Sequence, residues 1–189
     1  MKVKEILPKV KANLSKERYE HTLRVIQTAK ELAVIHGIDT EKVELASALH
    51  DYAKCEDELV LKQYIKKNCL DSDLLNYHYE LWHAHVAAHF AEYTLKIKDK
   101  SILNAIKYHT TGRAGMDEVE LIVFIADFIE PARQIPGVDK VRDSAKTDLH
   151  EAALLVFKGT IPYLISQEKV VYPGTVNAYN DLIKFKGDR

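Results

Sequence analysis

Apolar side chains recur every three or four positions along almost the whole chain, and this spacing restricts its fold more than any other feature. Such a period places apolar residues on one face of an α-helix, whereas the alternation typical of a half-buried strand is almost absent. Only seven glycines and five prolines interrupt the 189 residues. The pattern predicts an all-α fold. We interpret residues 1–189 as a single-domain helical bundle, because no repeat, linker or low-complexity tract divides them.

Capping signals divide this pattern into individual helices. Ser15 is a good N-cap for a long helix that reaches His36, with Gly37 as its C-terminal stop. Asp39 or Thr40 begins a helix that we expect to run through the string HDYAK. Further helices are predicted over residues 2–13, 56–67, 71–76, 80–96, 100–109, 117–130 and 138–167, and YPGTVNAYNDLIKF is expected to form a Pro-Gly turn and a short helix.

The composition argues against several classes of partner. The formal net charge is -1, so no bulk field favours nucleic acid or an anionic membrane. The run LIVFIA at 121–126 is far too short to span a bilayer, and the N-terminus has no apolar stretch of signal-peptide length. Cys55 and Cys69 are expected to be free thiols, as is typical of a reducing compartment. We therefore expect a cytoplasmic protein that binds neither nucleic acid nor membrane.

Nine histidines are many for a chain of this kind, and helical geometry sorts them by face. In LWHAHVAAHFA, His83 shares a face with Val86 and Phe90 at about 100° per residue, so we expect it to point inward. His85 and His89 fall on the opposite face. We expect these two to be solvated on the outer surface, although their i,i+4 spacing is also found in zinc sites.

Other polar residues lie within or next to apolar runs. His21 lies on the apolar face of its helix, His50 and Asp51 follow VELASAL, and His109 closes SILNAIKYH. Asp127 lies inside LIVFIADFIEP, where an unpaired buried carboxylate costs several kcal/mol or takes up a proton. Each of these residues alone could be a hydrogen-bonded core side chain, and Asp127 could pair with an arginine or cap a helix.

Together, four inward histidines and two inward aspartates in one small helical domain favour a metal centre. Imidazole and carboxylate ligands suit divalent iron, manganese, cobalt or zinc. Because no cysteine takes part, a structural zinc or an iron–sulfur cluster is disfavoured. Six ligands suit one or two octahedral ions with open positions, which a carboxylate could bridge, and open positions indicate catalysis.

Basic and polar side chains follow the candidate ligands by one helical turn or a short loop. Each alone could be an ordinary surface residue. A metal site ringed by lysine and arginine, with hydroxyls and a glycine N–H nearby, suits a substrate with phosphate oxygens. The candidate phosphate-binding residues are Arg24, Lys54, Thr110, Thr111, Gly112, Arg113 and Arg133.

These residues occur in motifs that resemble the HD-domain metal-dependent phosphohydrolases. The order His21, His50–Asp51 and Asp127 resembles the H…HD…D pattern of that superfamily. Six strings resemble, in order, its YqeK-type branch, the bacterial symmetrical bis(5′-nucleosyl)-tetraphosphatases. The resemblance covers nearly the whole chain and implies an HD-domain bundle. The strings are RYEHTLRV, ALHDYAK, WHAHVAA, ILNAIKYHTTGRAGM, FIADFIEPARQIPGVDKVR and YPGTVNAYN.

The resemblance implies a hydrolase that cleaves diadenosine tetraphosphate symmetrically into two ADP, by attack of a metal-bound hydroxide on phosphorus. The implied ligand is a dinucleoside polyphosphate or an ADP- or GDP-like nucleotide, and the implied assembly is a homodimer. Three alternatives stay open: a phosphohydrolase acting on a nucleoside monophosphate or a guanosine tetraphosphate alarmone, a non-catalytic nucleotide-binding protein, and a helical RNA-binding protein, which the net charge disfavours.

The resemblance also implies roles for individual residues. The metal would be iron, with manganese, cobalt, zinc and nickel as alternatives, bound as one or two ions. Ligands of the first ion would be His21, His50, Asp51 and Asp127, while His83 and His109 would complete a second site or contact the phosphates. The catalytic set would be His50, Asp51, Lys54, His83 and His109. Substrate would be contacted by Arg24, Lys54, His83, His109, Thr110, Thr111, Gly112, Arg113, Asp127, Arg133, Tyr172, Pro173, Gly174 and Thr175.

Overall fold

The computed structural model describes residues 2–187, and this part of the chain is helical with no strand. The all-α prediction is therefore confirmed. The single-domain prediction for 1–189 also includes Met1, Asp188 and Arg189, which lie outside the described residues. The helices are α1 (Val3–Asn13), α2 (Lys16–His36), α3 (Thr40–Leu49), α4 (Glu58–Lys67), α5 (Trp82–Tyr93), α6 (Lys100–Tyr108), α7 (Glu118–Ile129), α8 (Val138–Ala145), α9 (Leu149–Ser166) and α10 (Pro173–Gly187), with short 3-10 helices at Ser72–Asn76 and Tyr79–Leu81.

The predicted ends of α2 and the start of α3 are confirmed. The Ser15 hydroxyl accepts a hydrogen bond from the Arg18 amide at 3.2 Å and so caps α2. Gly37 ends α2 in the left-handed region at φ 69°, where a glycine has no steric penalty. Asp39 caps α3 by accepting from the amides of Glu41 and Lys42.

The prediction that α3 runs through HDYAK is wrong. The helix ends at Leu49, and the following residues form consecutive turns closed by tighter bonds, from the Tyr52 amide to the Leu49 carbonyl and from the Lys54 amide to the Asp51 carbonyl. The His50 ring itself bonds the Ser47 carbonyl at 2.6 Å and so satisfies one helix-terminal acceptor. His50 and Asp51 therefore lie directly after the C-terminal end of α3.

Two further predictions near the C-terminus are wrong. Residues 138–167 form two helices, because the Asp148 carboxylate starts α9 by accepting from the amides of His150 and Glu151. Pro173 begins α10 as its first residue, where proline needs no amide partner, so no Pro-Gly turn precedes this helix.

The helices pack around one continuous apolar core. Helix α7 lies at its centre: it contacts α2, α3, α6, α8 and α9, and it is buried on nearly all sides, as its all-round apolar sequence requires. Helices α2, α3 and α6 contact α7, and α5 packs against α6 and α3. No described helix is long and apolar enough to cross a membrane. Cys55 and Cys69 are exposed free thiols, as predicted.

Candidate metal centre

Five segments of the helical bundle bring six imidazole and carboxylate side chains together around Asp51. His21 comes from the first half of α2, and His50 and Asp51 come from the turns after α3. The others lie in the first turn of α5, directly after α6 and near the C-terminus of α7; they are His83, His109 and Asp127. Five of the six are buried, and the Asp127 side chain is 21% exposed. The sequence could not show that these segments meet, and the structure brings all six together.

The four histidines are held in one orientation. The Nδ1 atoms of His50, His83 and His109 lie 2.6, 2.7 and 2.8 Å from the backbone carbonyls three residues earlier. A carbonyl oxygen only accepts, so Nδ1 carries the proton in each ring and Nε2 presents a lone pair. His21 Nδ1 lies 3.2 Å from Glu130 Oε1 and follows the same rule. Four lone pairs therefore point to the centre, in the tautomer that a divalent cation requires.

The Asp51 carboxylate lies between two groups of these imidazoles. Its Oδ2 atom is 3.2 Å from His50 Nε2 and 3.6 Å from His21 Nε2. Its Oδ1 atom is 3.1 Å from His83 Nε2 and 3.7 Å from His109 Nε2. Each oxygen thus faces its own pair of histidines, which is the arrangement of a carboxylate that bridges two cations.

Asp127 belongs to only one of the two groups. Its Oδ1 atom is 3.0 Å from His21 Nε2, and the potential ligand atoms of His21, His50 and Asp127 all lie within 4.8 Å of one another. A second such triplet consists of His50, Asp51 and His109. The two triplets share His50, and Asp51 belongs to the second of them.

The donor chemistry of the cluster fits a bound divalent cation. The Nε2 atoms of His21 and His50 are buried and make no hydrogen bond to the described residues, which is costly unless a ligand accepts their lone pairs. His83 Nε2 and His109 Nε2 lie 3.2 Å apart. With both Nδ1 atoms protonated, these two lone pairs face each other, and only a shared proton or a cation makes that contact favourable.

The local electrostatics favour two ionised carboxylates and a neutral His83. Burial lowers the pKa of His83 to about 4, although the nearby Asp51 carboxylate opposes this, so the ring stays neutral near pH 7. Burial alone would raise the pKa of Asp51, but the nearby rings of His50, His109 and His83 hold it well below its usual value. Burial likewise opposes ionisation of Asp127, yet the neighbouring His21 and His50 rings lower its pKa. Both carboxylates are therefore anionic ligands.

Two residues that sequence analysis missed support the cluster. Glu130 holds His21 Nδ1 and also accepts from Arg24 Nε at 2.6 Å, and Arg18 donates to Asp51 Oδ2 at 2.9 Å. Burial would raise the pKa of Glu130, but hydrogen bonds from Arg24, the Ala132 amide and His21 lower it. The signal was present, since Arg18 precedes His21 by almost one helical turn and Glu130 follows Asp127 by three residues.

Three of the predicted phosphate-binding cations border the cluster. Each is paired with a carboxylate: Arg24 with Glu130, Arg133 with Asp127, and Lys54 with Glu80. All three line a polar cavity of about 480 Å³ together with Arg18 and His21. We call this the cationic cavity.

In the TTGR loop, residues 110–113, two residues support the fold and two line a cavity. Arg113 pairs with the buried Glu120, and Gly112 has φ 63° with Phe157 so close that an added Cβ would lie 2.5 Å from its Cζ atom. The structure does not bring these two residues to the cationic cavity. Thr110 and Thr111 instead line a second cavity.

This second cavity, of about 340 Å³, lies beside the His83 and His109 side of the cluster. It is mostly apolar, and Tyr77 and Tyr172 meet in it edge to face, with ring centroids 4.9 Å apart. Thr175, Glu80, Thr110 and Thr111 also line it, and we call it the aromatic cavity. Pro173 and Gly174 are not among its lining residues; Gly174 packs against the Tyr172 ring, where a Cβ would lie 2.5 Å from Cε1.

The predicted outward position of His85 and His89 is wrong. His85 is only 6% exposed, and His89 is half-buried with its Nδ1 atom 3.0 Å from the Tyr64 hydroxyl. Burial, with the charge of Lys107 in second place, lowers the pKa of His85 to about 3. The helical-wheel argument placed them correctly on the face opposite His83. It failed because α4 and α6 cover that face.

A family comparison matches this chain over the region that holds the cluster. The model of the HD domain matches residues 18–132, which is more than half of the chain and contains all six cluster residues. The matched region begins at Arg18 and ends two residues after Glu130, so it also contains both supporting residues.

Curated relatives match over nearly their whole length. Three proteins named "Bis(5'-nucleosyl)-tetraphosphatase, symmetrical" are similar to this chain. The protein of Bacillus subtilis is 42% identical and the match covers 97% of this chain and 98% of the relative. For Halalkalibacterium halodurans the identity is 43%, with 92% of this chain and 93% of the relative covered, and for Staphylococcus aureus it is 44%, with 90% and 89% covered. A crystal structure from Clostridium acetobutylicum, described as a predicted HD superfamily hydrolase involved in NAD metabolism, superposes with a TM-score of 0.91 at 35% identity, covering 96% of this chain and 97% of that one.

Proposed function

Because this chain belongs to the HD-domain family, and within it to the symmetrical bis(5′-nucleosyl)-tetraphosphatases, we propose that it is a metal-dependent hydrolase that cleaves diadenosine tetraphosphate into two ADP. The relatives' name supplies the substrate, and the geometry around Asp51 supplies the reason for a divalent cation. The observation that carries the proposal is the position of the Asp51 carboxylate, with one oxygen toward His21 and His50 and the other toward His83 and His109.

The proposed ligands divide into two sets that share Asp51. His21, His50 and Asp127 would hold one ion with Asp51 Oδ2, and His83 and His109 would hold a second with Oδ1. Iron is the proposed metal, since its divalent form accepts mixed imidazole and carboxylate ligands and leaves positions open. When bound, divalent ions supply an acidified water as nucleophile and positive charge for the phosphate oxygens.

The cationic cavity would bind the polyphosphate. A carboxylate is paired with each of the three cations, Arg24, Arg133 and Lys54. A bound polyphosphate would replace these carboxylates or share the cations with them, in a cavity already lined by positive side chains. Arg18 reaches Asp51 from the same cavity and would hold that carboxylate in place while substrate binds. The positive side chains would also neutralise charge on the departing nucleoside diphosphate.

The aromatic cavity would take one nucleoside. Tyr77 and Tyr172 offer ring faces and edges to a base, and the buried Thr110 hydroxyl has no hydrogen-bond partner among the described residues. The two cavities meet at the ion pair of Lys54, which lines the first, with Glu80, which lines the second. A dinucleoside polyphosphate could therefore extend from one cavity to the other across the ligand cluster.

We also propose that the chain forms a homodimer and works in the cytoplasm. Both proposals rest on the resemblance of the chain to its family, and the exposed free thiols of Cys55 and Cys69 support the second. Light scattering on the purified protein tests the first, and a mass of one chain would contradict it.

A product analysis tests the proposed activity. Metal-replete protein, purified without oxygen, is incubated with diadenosine tetraphosphate and the products are separated by chromatography. We expect ADP alone. A mixture of AMP and ATP would contradict symmetrical cleavage, and preferred hydrolysis of a nucleoside monophosphate or guanosine tetraphosphate in the same panel would replace the proposed substrate. Binding of these nucleotides without turnover would favour a non-catalytic binding protein.

A further inference from the structure

The turn that follows α7 carries two residues of the proposed active site. It comprises residues 130–133, and we call it the EPAR turn. Glu130 holds His21 Nδ1. Arg133 pairs with Asp127 and lines the cationic cavity. Helix α7 ends at Ile129, just before this turn, so the carbonyls at its C-terminus need donors from outside the helix.

The guanidinium group of Arg142, in α8, supplies those donors. Its Nε atom donates to the Ile129 carbonyl at 3.0 Å. Its Nη2 atom donates to the carbonyls of Glu130 and Arg133, at 3.1 and 2.9 Å. One side chain therefore joins the last residue of α7 to both ends of the EPAR turn. The planar guanidinium of arginine suits this task, because its donors are fixed relative to one another.

Arg142 itself lies outside the cationic cavity. Its side chain is 29% exposed and lines a separate groove beside α2. Its Nη1 atom pairs with Asp139, but the Asp139 side chain is 87% exposed, and an ion pair of this kind contributes little. The three bonds to backbone carbonyls are therefore the contacts by which Arg142 can influence the proposed active site.

The position of the Arg133 side chain depends on the backbone of the EPAR turn. Its Nη2 atom lies 3.0 Å from Asp127 Oδ1, and its Nε atom lies 3.2 Å from the Asp127 carbonyl. The Arg133 amide donates to the Glu130 carbonyl, which also accepts from Arg142. A small displacement of this backbone would move the Arg133 guanidinium out of reach of a phosphate oxygen, because charge-assisted hydrogen bonds require a close and directed contact.

We propose that Arg142 is a positioning residue for polyphosphate binding, which fixes the EPAR turn so that Arg133 faces the cationic cavity. The proposal rests on the proposed function, since it takes the cationic cavity as the site of the substrate phosphates. Loss of the Arg142 guanidinium leaves three carbonyls without this donor and allows the turn to move. Arg133 then contacts phosphate for a smaller fraction of the time.

Kinetics of Arg142 variants with diadenosine tetraphosphate, in saturating manganese, test the effect on substrate binding. In Arg142→Gln we expect KM to rise about ten-fold, as for the loss of one charge-assisted phosphate contact, while kcat stays within about two-fold of the wild type. Arg142→Lys keeps the positive charge without the planar fork, so KM should still rise about five-fold. Asp139→Asn removes only the exposed ion pair and is the matched control, with both constants unchanged.

Three kinetic results would overturn the proposal. They are a wild-type KM in Arg142→Gln, a full recovery of KM in Arg142→Lys, which would indicate an effect of charge alone, and an equal rise of KM in Asp139→Asn. A loss of kcat without a change in KM would also overturn it, because the effect would then fall on the metal centre.

Amide hydrogen exchange tests the same proposal without substrate. The amides of Ala132 and Arg133 are both bonded within the EPAR turn. In Arg142→Gln we expect them to exchange about ten-fold faster, while amides in the middle of α2 exchange as in the wild type. Unchanged exchange in the turn, or equal acceleration in α2, would overturn the proposal. Wild-type protein that cleaves no dinucleoside polyphosphate would instead overturn the proposed function, and hydrogen exchange would still decide whether Arg142 holds the turn.

Discussion

The two halves of the metal cluster share one carboxylate but differ in charge. The His21 half contains Asp51 Oδ2 and Asp127, and Glu130 supports its first histidine. The His83 half contains Asp51 Oδ1 and no second carboxylate, and its histidines are oriented by backbone carbonyls. We expect a divalent ion to bind more tightly in the His21 half, because two anionic ligands attract it more strongly than one.

The difference between the halves indicates a division of tasks. An ion held in the His21 half would have two carboxylates and two imidazoles as ligands and would stay with the protein. An ion held in the His83 half would have two imidazoles and one carboxylate oxygen as ligands, so it would exchange more readily and leave more positions open for phosphate oxygens. The neighbouring cavities fit this division, since His21 borders the cationic cavity while Thr110, directly after His109, borders the aromatic cavity.

The largest effect is expected at Asp51, because its two carboxylate oxygens face the two halves. Asp51→Asn should lower kcat by at least about a thousand-fold and should reduce the bound metal in both halves. Elemental analysis and product chromatography measure the two effects. Asp57→Asn, an exposed aspartate at the start of α4 whose side chain makes no capping bond, is the control. Full metal content in Asp51→Asn would contradict the bridging position.

Substitutions confined to one half should separate the two ions. Asp127→Asn is expected to weaken the tighter ion about a hundred-fold, and His83→Gln should weaken only the second ion by a similar factor. Calorimetric titration of the metal-free protein with manganese measures both affinities. Equal losses in both variants would show that the halves are not distinct.

The support of His21 by Glu130 should have a smaller effect. Glu130→Gln keeps the shape of the side chain but removes the negative charge beside His21, so we expect about ten-fold weaker binding in the His21 half and no change in the other. Glu120→Gln is a matched control, since Glu120 is equally buried and paired with Arg113 but distant from the cluster. If Glu130→Gln and Glu120→Gln bind metal with the same affinity, the proposed role of Glu130 in the His21 half is wrong.

The sequence predicts the all-α class and the inward histidines. It predicts less well which residues from other helices surround them. Periodicity and caps locate α2 correctly, because both depend on neighbouring residues. The end of α3 before His50 and the burial of His85 depend on packing between distant helices, which spacing cannot show. For Glu130 the spacing from Asp127 was a usable signal, but its partner His21 lies 109 residues away in the chain.

The smallest predicted effect concerns the pH dependence of stability in the metal-free protein. Burial lowers the pKa of His83 to about 4, so its contribution to stability is present above about 6.5 and is lost as the pH falls toward 4. At His50 burial is outweighed by Asp51, and the raised pKa gives the opposite sign: stability is lost as the pH rises through that pKa.

Urea unfolding at pH 5 and pH 7 measures this difference between the halves. In His83→Gln the free energy of unfolding should rise less steeply with pH than in the wild type, and in His50→Gln it should rise more steeply. Each slope should differ from that of the wild type by up to about 1.4 kcal/mol per pH unit. Slopes that change in the same direction in both variants would contradict the opposite pKa shifts.

The central claim is that imidazoles and carboxylates from five segments share divalent ions around Asp51. Anomalous diffraction from crystals grown with manganese locates those ions directly. We expect a strong peak within about 2.0–2.3 Å of Asp51 Oδ2 and the Nε2 atoms of His21 and His50, and a weaker one beside Oδ1, His83 and His109. Peaks only at other sites, or a cluster without density while the crystal binds manganese elsewhere, would contradict the claim.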